Sequence, residues 1–120
     1  MTRRLLLVDD HASFRRLARL ALERHGFEVV GEAADGAAAI AGAARLRPDV
    51  VLLDVLLPDI DGFAVARRLA ELPSPPAVVL TSSRPRTDFG ERLDAAPVRG
   101  FIAKEDLTGE RVQALAELSE

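Results

Sequence analysis

The sequence predicts an α/β domain built on a doubly wound parallel sheet with helices on both faces. Three observations support this fold class. Short apolar runs without polar alternation recur along the 120 residues, and such runs suit strands buried on both faces of a parallel sheet. Helical periodicity separates the runs, and four of them lead directly into a chemically active residue. Alternating elements of this length build a doubly wound sheet, in which ligands bind beyond the carboxyl ends of the strands.

Five segments are predicted to be strands. Residues 5–8, 50–53 and 77–80 are continuous apolar runs, whereas residues 27–33 and 98–103 are weaker candidates, each preceded by a glycine or a proline. Five helices lie between and after these segments. The chain therefore predicts a β-α unit repeated five times.

The helices are predicted from apolar residues at helical spacing. In the first helix these residues are Phe14, Leu17, Ala18 and Ala21, and the helix ends near His25. An alanine-rich second helix opens at residues 35–36 and ends before Pro48. The third is closed by the prolines of residues 73–76, and the fourth has room for only about two turns between flanking prolines. The apolar positions of the later helices are Val65, Ala66, Leu69, Leu72, Phe89, Leu93, Val112, Leu115 and Ala116.

Composition excludes several classes of protein. With 48% hydrophobic residues and 29% charged residues, the chain can bury one core without disulfide or metal staples. The absence of cysteine excludes disulfide scaffolds, thiolate zinc sites and cysteine nucleophiles. A formal charge of -3 argues against direct nucleic-acid binding by this domain, and arginine pairs such as Arg15-Arg16 are typical of solvated helix faces. No segment predicts secretion or membrane insertion, so a cytoplasmic location is expected.

Carboxylates gather at the predicted carboxyl edge of the sheet. Asp9 and Asp10 follow the first strand, and Asp54 follows the third. Three carboxylates about 4 Å apart repel by about 4 kcal/mol per pair at an effective dielectric of 20, so such a cluster needs a cation or must partly protonate. An all-oxygen site favours a hard ion, magnesium before calcium.

Asp54 has two compatible roles, as a third metal ligand and as a nucleophile toward a phosphoryl group. A phosphoryl group on Asp54 needs positive or hydrogen-bonding partners, and Thr81 and Lys104 directly follow the fourth and fifth predicted strands. Lys104 is the single lysine beside fifteen arginines. Because a lysine ammonium is compact whereas a guanidinium is a planar fork, one lysine at this edge suggests a geometric demand.

These motifs resemble those of bacterial response-regulator receiver domains, especially the receivers of LuxR-type regulators. The match runs in order along nearly the whole chain. It consists of Leu7-Val8-Asp9-Asp10-His11, Val51-Leu52-Leu53-Asp54, Leu57-Pro58-Asp59-Ile60-Asp61-Gly62, Leu80-Thr81-Ser82 and Gly100-Phe101-Ile102-Ala103-Lys104. The resemblance implies a single receiver domain over residues 1–120, with a flavodoxin-like sheet of order 2-1-3-4-5, five helices and an atypically short fourth helix.

The resemblance also implies a chemistry. Asp54 would accept a phosphoryl group from a phosphohistidine on a sensor kinase or a histidine phosphotransfer protein. Mg²⁺ would be held by Asp10 directly, by Asp9 through water, by Asp54 and by the backbone carbonyl of Leu56. Thr81 and Lys104 would bind the new phosphoryl group, and Thr81 and Phe101 would act as the switch residues. The domain would catalyse only its own phosphorylation and dephosphorylation.

Other interpretations stay open at this point. A magnesium-dependent phosphohydrolase usually has an aspartate two residues after the nucleophile, where this chain has Leu56. A receiver fold could also serve as a phosphorylation-independent interaction module. For output, a free-standing receiver, which could be a homodimer, is favoured, and the receiver half of a LuxR-type transcription factor is the alternative. The Asp59-Ile60-Asp61-Gly62 run is interpreted as a turn opening the third helix, and His11 as incidental.

Overall fold

The computed structural model describes residues 3–118 as one five-stranded parallel sheet. The strands are β1 (Arg4–Val8), β2 (Glu28–Ala33), β3 (Val50–Asp54), β4 (Ala77–Ser82) and β5 (Gly100–Ala103). Their order across the sheet is β2-β1-β3-β4-β5, and every neighbouring pair is parallel. This architecture confirms the predicted fold class and strand order. It also aligns the carboxyl ends of β1, β3, β4 and β5 along one edge.

The helices alternate with the strands as predicted. They are α1 (Ala12–Arg24), α2 (Gly36–Leu46), α3 (Gly62–Ala70), α4 (Glu91–Ala95) and α5 (Gly109–Ala116). Side-chain oxygens cap three of them, because Asp35, Asp61 and Thr108 each accept a backbone N–H three residues later. The predicted short α4 is confirmed at five residues and is preceded by a single 3₁₀ turn over Arg86–Asp88.

Two apolar cores lie on opposite faces of the sheet. Leu6 and Leu53 face α2, α3 and α4, whereas Leu7 and Leu52 face α1 and α5. Successive strand residues point to opposite faces, so a strand covered on both sides must be apolar at every position. This double burial explains why the predicted strands show no polar alternation.

One predicted core position is wrong. Leu17 is 68% exposed, whereas Ala18 and Leu22 are buried against the sheet. The stripe that α1 buries runs through Phe14, Ala18 and Leu22 at intervals of four residues. Leu17 lies about 100° around the helix axis from Ala18, so it falls beside this stripe and faces solvent.

Across residues 3–118, none of the helices combines the length and the apolar character that crossing a bilayer requires.

Candidate functional site

The three predicted carboxylates meet at the carboxyl edge of the sheet. β1 pairs directly with β3, with Val8 opposite Leu53. The residues that follow are therefore adjacent in space. One carboxylate oxygen from each of Asp9, Asp10 and Asp54 lies within 4.8 Å of the others, and a ring nitrogen of His11 belongs to the same group. Within it, Asp9 and Asp54 are buried and Asp10 is exposed.

Lys104 bridges two of these carboxylates. It directly follows β5, and its Nζ lies 2.7 Å from Oδ2 of Asp9 and 3.2 Å from Oδ2 of Asp54. Although burial by itself lowers the pKa of Lys104, the two carboxylates outweigh it and raise that pKa above its ordinary value. The ring of Phe14 lies 4.6 Å from the same nitrogen, where its π face attracts the ammonium. Lys104 is therefore a charged group held by both strands and by α1.

Asp54 is the buried centre of the site. Oδ1 accepts the backbone N–H of Leu56 at 3.1 Å, while Oδ2 faces Lys104. Burial raises the pKa of the Asp54 carboxyl, and the Asp9 carboxylate adds to this rise; the Leu56 N–H and the Lys104 ammonium oppose it. The ionised form of Asp54 thus depends on its cationic neighbour.

Thr81 supplies a hydroxyl with no hydrogen-bond partner. It lies opposite Asp54 in the β3–β4 register and is 1% exposed. Its Oγ1 is buried and finds no partner among the described residues. A buried hydroxyl without a partner is costly, so Thr81 is free to bond a group that is added beside it.

Phe101 ends a row of three aromatic rings. On β5 it is half-buried, with its ring centroid 5.8 Å from that of Phe89. Phe89 lies in turn 5.9 Å from Phe63 of α3. The predicted switch residue is thus in contact with the segment that precedes α4.

The loop after Asp54 is fixed at two points. Gly62 donates its N–H to the carbonyl of Val55 at 2.7 Å, and a Cβ at Gly62 would lie 2.6 Å from the backbone oxygen of Asp54. Further along, the Asp59 carboxylate accepts the N–H groups of Gly36 and Ala37 at 2.7 and 2.9 Å. Asp59 therefore ties the loop that contains Leu56 to the first turn of α2. The backbone carbonyl proposed as a metal ligand belongs to this pinned loop.

The turn after β1 is braced by α1. Arg15 donates from Nη1 to the carbonyl of Asp9 at 2.6 Å and from Nε to Glu32 of β2 at 2.8 Å. His11 donates its backbone N–H to Oδ1 of Asp9 at 2.8 Å. Placing Arg15 on a solvated face was wrong, because its side chain is only 19% exposed and binds the site turn.

The sequence alone did not indicate that His11, Arg15 and Asp59 contact the turn and the loop of this site. The adjacency of His11 to Asp10 was a usable signal. Arg15 reaches the carbonyl of Asp9 across six residues and Glu32 across 17. Asp59 reaches the start of α2 across 22 and 23 residues, and no local pattern indicates these contacts.

The donor set fits a hard divalent cation. Three carboxylates and one ammonium leave about two formal negative charges around the site. Carboxylate oxygens are the ligands that Mg²⁺ prefers, usually together with several waters. The structure thus has the acidic cluster that the sequence predicts, with part of its repulsion already relieved by Lys104.

The parallel α/β fold, the acidic cluster at its edge and the single lysine are the features of a receiver-type α/β domain. Residues 5–116 match the family model of the response regulator receiver domain, and the chain belongs to that family. It is a receiver domain of two-component signal transduction.

Solved structures of receivers are similar to this chain. The signal receiver domain of NarL from Mycobacterium tuberculosis has a TM-score of 0.85 and 34% identity, covering 95% of this chain and 93% of that one. A LuxR-family response regulator from an Aurantimonas species has a TM-score of 0.82 and 30% identity, covering 96% of this chain and 83% of that one.

Curated relatives are longer proteins. A protein-glutamate methylesterase/protein-glutamine glutaminase of Anaeromyxobacter dehalogenans is 50% identical over 109 residues, which are 89% of this chain and 31% of that protein. BvgA of Bordetella pertussis, whose name describes a transcription regulator of virulence factors, is 32% identical over 95% of this chain and 54% of its own length. The chain therefore spans about a third to a half of these relatives.

Proposed function

We propose that this chain is the phosphoacceptor of a two-component phosphorelay, with Asp54 as the residue that is phosphorylated. The observation that carries the proposal is the pairing of a buried carboxylate, bound to a lysine ammonium, with an unpartnered hydroxyl directly opposite it. Lys104 is sufficient to neutralise a buried carboxylate at position 54. The Thr81 hydroxyl has no partner among the described residues, and a phosphoryl oxygen on Asp54 would supply one.

The transfer is a displacement at phosphorus. A carboxylate oxygen of Asp54 forms a bond to phosphorus as the bond from phosphorus to the donor's imidazole nitrogen breaks, and the imidazole leaves with that electron pair and takes a proton. The phosphoryl oxygens then receive the Lys104 ammonium and the Thr81 hydroxyl. Such transfers depend mainly on positioning and charge neutralisation, and both partners are already placed within the site.

Asp9, Asp10, Asp54 and the carbonyl of Leu56 would hold Mg²⁺, which would neutralise charge on the transferring phosphoryl group. Lys104 also binds Asp9 and Asp54. One ammonium therefore organises both the metal ligands and the acceptor. Asp54 must be ionised to attack, and Lys104 and the Leu56 N–H oppose the burial that raises its pKa.

Signalling follows from the change of charge at Asp54. A phosphoryl group carries about 1.5 to 2 negative charges and replaces the single charge of the Asp54 carboxylate, so the site gains about one negative charge, which draws the hydroxyl of Thr81. Thr81 lies on β4 and Phe101 on the neighbouring β5, with Leu80 opposite Phe101 in the register. Movement at Thr81 would therefore be transmitted to Phe101 and the α4 segment.

The test is intact-protein mass after incubation with Mg²⁺ and acetyl phosphate. The parent should gain one phosphoryl group only when Mg²⁺ is present, and Asp54→Asn should gain none. Asp94→Asn is the matched control, since Asp94 is an exposed aspartate on α4, outside the acid cluster and the loop after Asp54, and should leave phosphorylation intact. If the parent gains no mass while binding Mg²⁺, the chain acts as a phosphorylation-independent module. Repeated turnover of an added phosphoester would instead indicate a phosphohydrolase.

Residues 1–120 are proposed as one receiver domain. A free-standing receiver and the receiver part of a LuxR-type transcription factor both stay predictions, as do homodimerisation and a cytoplasmic location. Phosphorylation by a sensor histidine kinase or a histidine phosphotransfer protein is the expected input. Gel-shift assays of the isolated chain should show no DNA binding, because its 16 basic residues are outnumbered by 19 acidic ones.

A further inference from the structure

His11 has an unexplained position beside the carboxylate cluster. Its Nδ1 lies 3.1 Å from Oδ1 of Asp10 and 3.3 Å from Oδ1 of Asp9. His11 occupies the N-cap position of α1, yet its side chain makes no capping bond to that helix. The ring is turned toward the acids although it is 67% exposed and free to point into solvent.

The two distances are those of a hydrogen-bonded ion pair, and they are also compatible with coordination of one ion by all three side chains. Neighbouring ligands of a six-coordinate ion with bonds of about 2.1 Å lie about 3.0 Å apart. The nitrogen of His11 faces two carboxylate oxygens at once and is within hydrogen-bond distance of Asp9. Together with one oxygen each of Asp9, Asp10 and Asp54 it lies in a group whose members are all within 4.8 Å of one another. His11 is therefore placed where it can serve as a further ligand of an ion held by these acids.

We propose that His11 is a nitrogen ligand of the metal site, which therefore binds nitrogen-preferring divalent ions such as Ni²⁺ and Zn²⁺ more tightly than Mg²⁺. This inference rests on the metal site of the proposed function. Imidazole suits Ni²⁺, Cu²⁺ and Zn²⁺, whereas Mg²⁺ prefers oxygen ligands. Asp9 and Asp10 alone would form an oxygen site, and His11 is what changes its selectivity.

The composition of the chain makes this inference testable. It has no cysteine and two histidines, of which the second is His25. His25 directly follows α1, at the opposite end of the helix from His11, and its ring bonds Gln113 of α5. Because imidazole ligation can come only from these two residues, protein without a histidine tag assigns it cleanly.

Isothermal titration with Ni²⁺ and with Mg²⁺ tests the proposal on the full chain. His11→Ala should weaken Ni²⁺ binding by about tenfold or more, the scale on which even indirect partners of a metal act, while Mg²⁺ affinity stays close to that of the parent. His25→Ala should leave both affinities unchanged. His11→Asn also removes the imidazole, and because asparagine is a favoured N-cap it protects the fold. Its Ni²⁺ affinity should fall as in His11→Ala.

Electron paramagnetic resonance of bound Cu²⁺ gives a second readout. Imidazole nitrogen coupling should be present in the parent and in His25→Ala and absent in both His11 variants. Unchanged Ni²⁺ affinity in the His11 variants, no Ni²⁺ binding by the parent, or nitrogen coupling that disappears only in His25→Ala would each overturn the assignment. Mg²⁺-dependent phosphorylation of the parent and of His11→Ala separates the two proposals, because it reports on Asp54 whatever the Ni²⁺ titration shows.

Discussion

The loops on the two sides of Asp54 are held very differently. On the β1 and β3 side, Arg15 bonds the carbonyl of Asp9, and Asp59 bonds two amides of α2. On the β4 and β5 side, α4 has five residues, of which only Leu93 is buried. A single exposed side chain, Arg92, links α4 to the α3 cap at Asp61.

This contrast separates binding from response. The β1 and β3 side holds the acids in place, so under the proposed function little rearrangement would be needed to bind a metal or to react. The β4 and β5 side has fewer contacts to break, and segments of low local stability are those that move in switching. Lys104 is the side chain that touches both, because it leaves β5 and ends on Asp9 and Asp54.

Gly62→Ala is expected to cause the largest loss of stability on the β1 and β3 side of the site. The new Cβ would lie 2.6 Å from the Asp54 carbonyl oxygen and 2.8 Å from the Val55 Cα, and backbone atoms cannot yield cheaply. We expect a loss of about 1–3 kcal/mol in the free energy of unfolding, measured by urea denaturation. Gly42→Ala in α2 is the control: its Cβ would meet Leu6 at an ordinary 3.7 Å, and alanine should add about 0.5–1 kcal/mol. Equal shifts in the two variants would show that the loop is not pinned.

Asp54→Asn should raise the stability of the metal-free protein by about 0.5–2 kcal/mol at neutral pH. Burial raises the pKa of Asp54 in the folded state. The contribution of the Asp54 carboxyl to the free energy of unfolding is therefore fully present below its unfolded pKa and is lost as pH rises through its folded pKa. Asp54→Asn should become more stable than the parent over this pH range, and the difference should vanish at lower pH.

Asp59→Asn supplies the opposite pH dependence. The N–H groups of Gly36 and Ala37 lower the pKa of Asp59, so its contribution is present above the unfolded pKa and is lost as pH falls through the folded pKa. This variant should be less stable than the parent at neutral pH and equal to it in acid. Thermal unfolding with a chelator, from pH 3 to 8, measures both variants. A lower midpoint for Asp54→Asn at neutral pH would exclude a strained acidic centre.

On the β4 and β5 side, Thr81→Val should raise the free energy of unfolding by about 1 kcal/mol, because a methyl group replaces a buried hydroxyl that has no partner among the described residues. The same variant should still accept a phosphoryl group at Asp54 but lose the chemical-shift changes that phosphorylation produces around Phe101. Thr81→Ser keeps the hydroxyl and is the control for the shift changes. If valine destabilises the protein in urea, the hydroxyl has a partner in solution.

Arg92→Met should have the smallest effect, a loss of about 0.5–1 kcal/mol. Arg92 bonds Asp61 at 3.0 Å, and its guanidinium lies 4.3 Å from the centroid of the Phe63 ring. Amide exchange should accelerate within α4 and stay unchanged in α2. Arg84→Met, which removes only a 3.8 Å pair with Asp88, should alter neither quantity. Faster exchange in α2 as well would mean that the two sides are mechanically coupled.

The sequence was sufficient for what depends on local pattern. Asp9 and Asp54 follow two predicted strands, and because parallel strands share an edge the sequence predicted that these acids lie together. Flanking prolines predicted the short α4. Leu17 was misplaced because adjacent apolar residues on a helix allow two stripes, and only packing against β1 and α5 selects one. The clamp of Asp59 on α2 joins segments more than twenty residues apart, which neither periodicity nor composition can indicate.

The contact between Asp59 and α2 also allows the movement of the loop after Asp54 to be measured outside the site. When the loop after Asp54 opens, the carboxylate leaves Gly36 and Ala37, and their amide protons become free to exchange with solvent. The exchange rate at the start of α2 therefore reports how often the loop after Asp54 opens. These two amides follow that loop without a probe on any residue of the acid cluster.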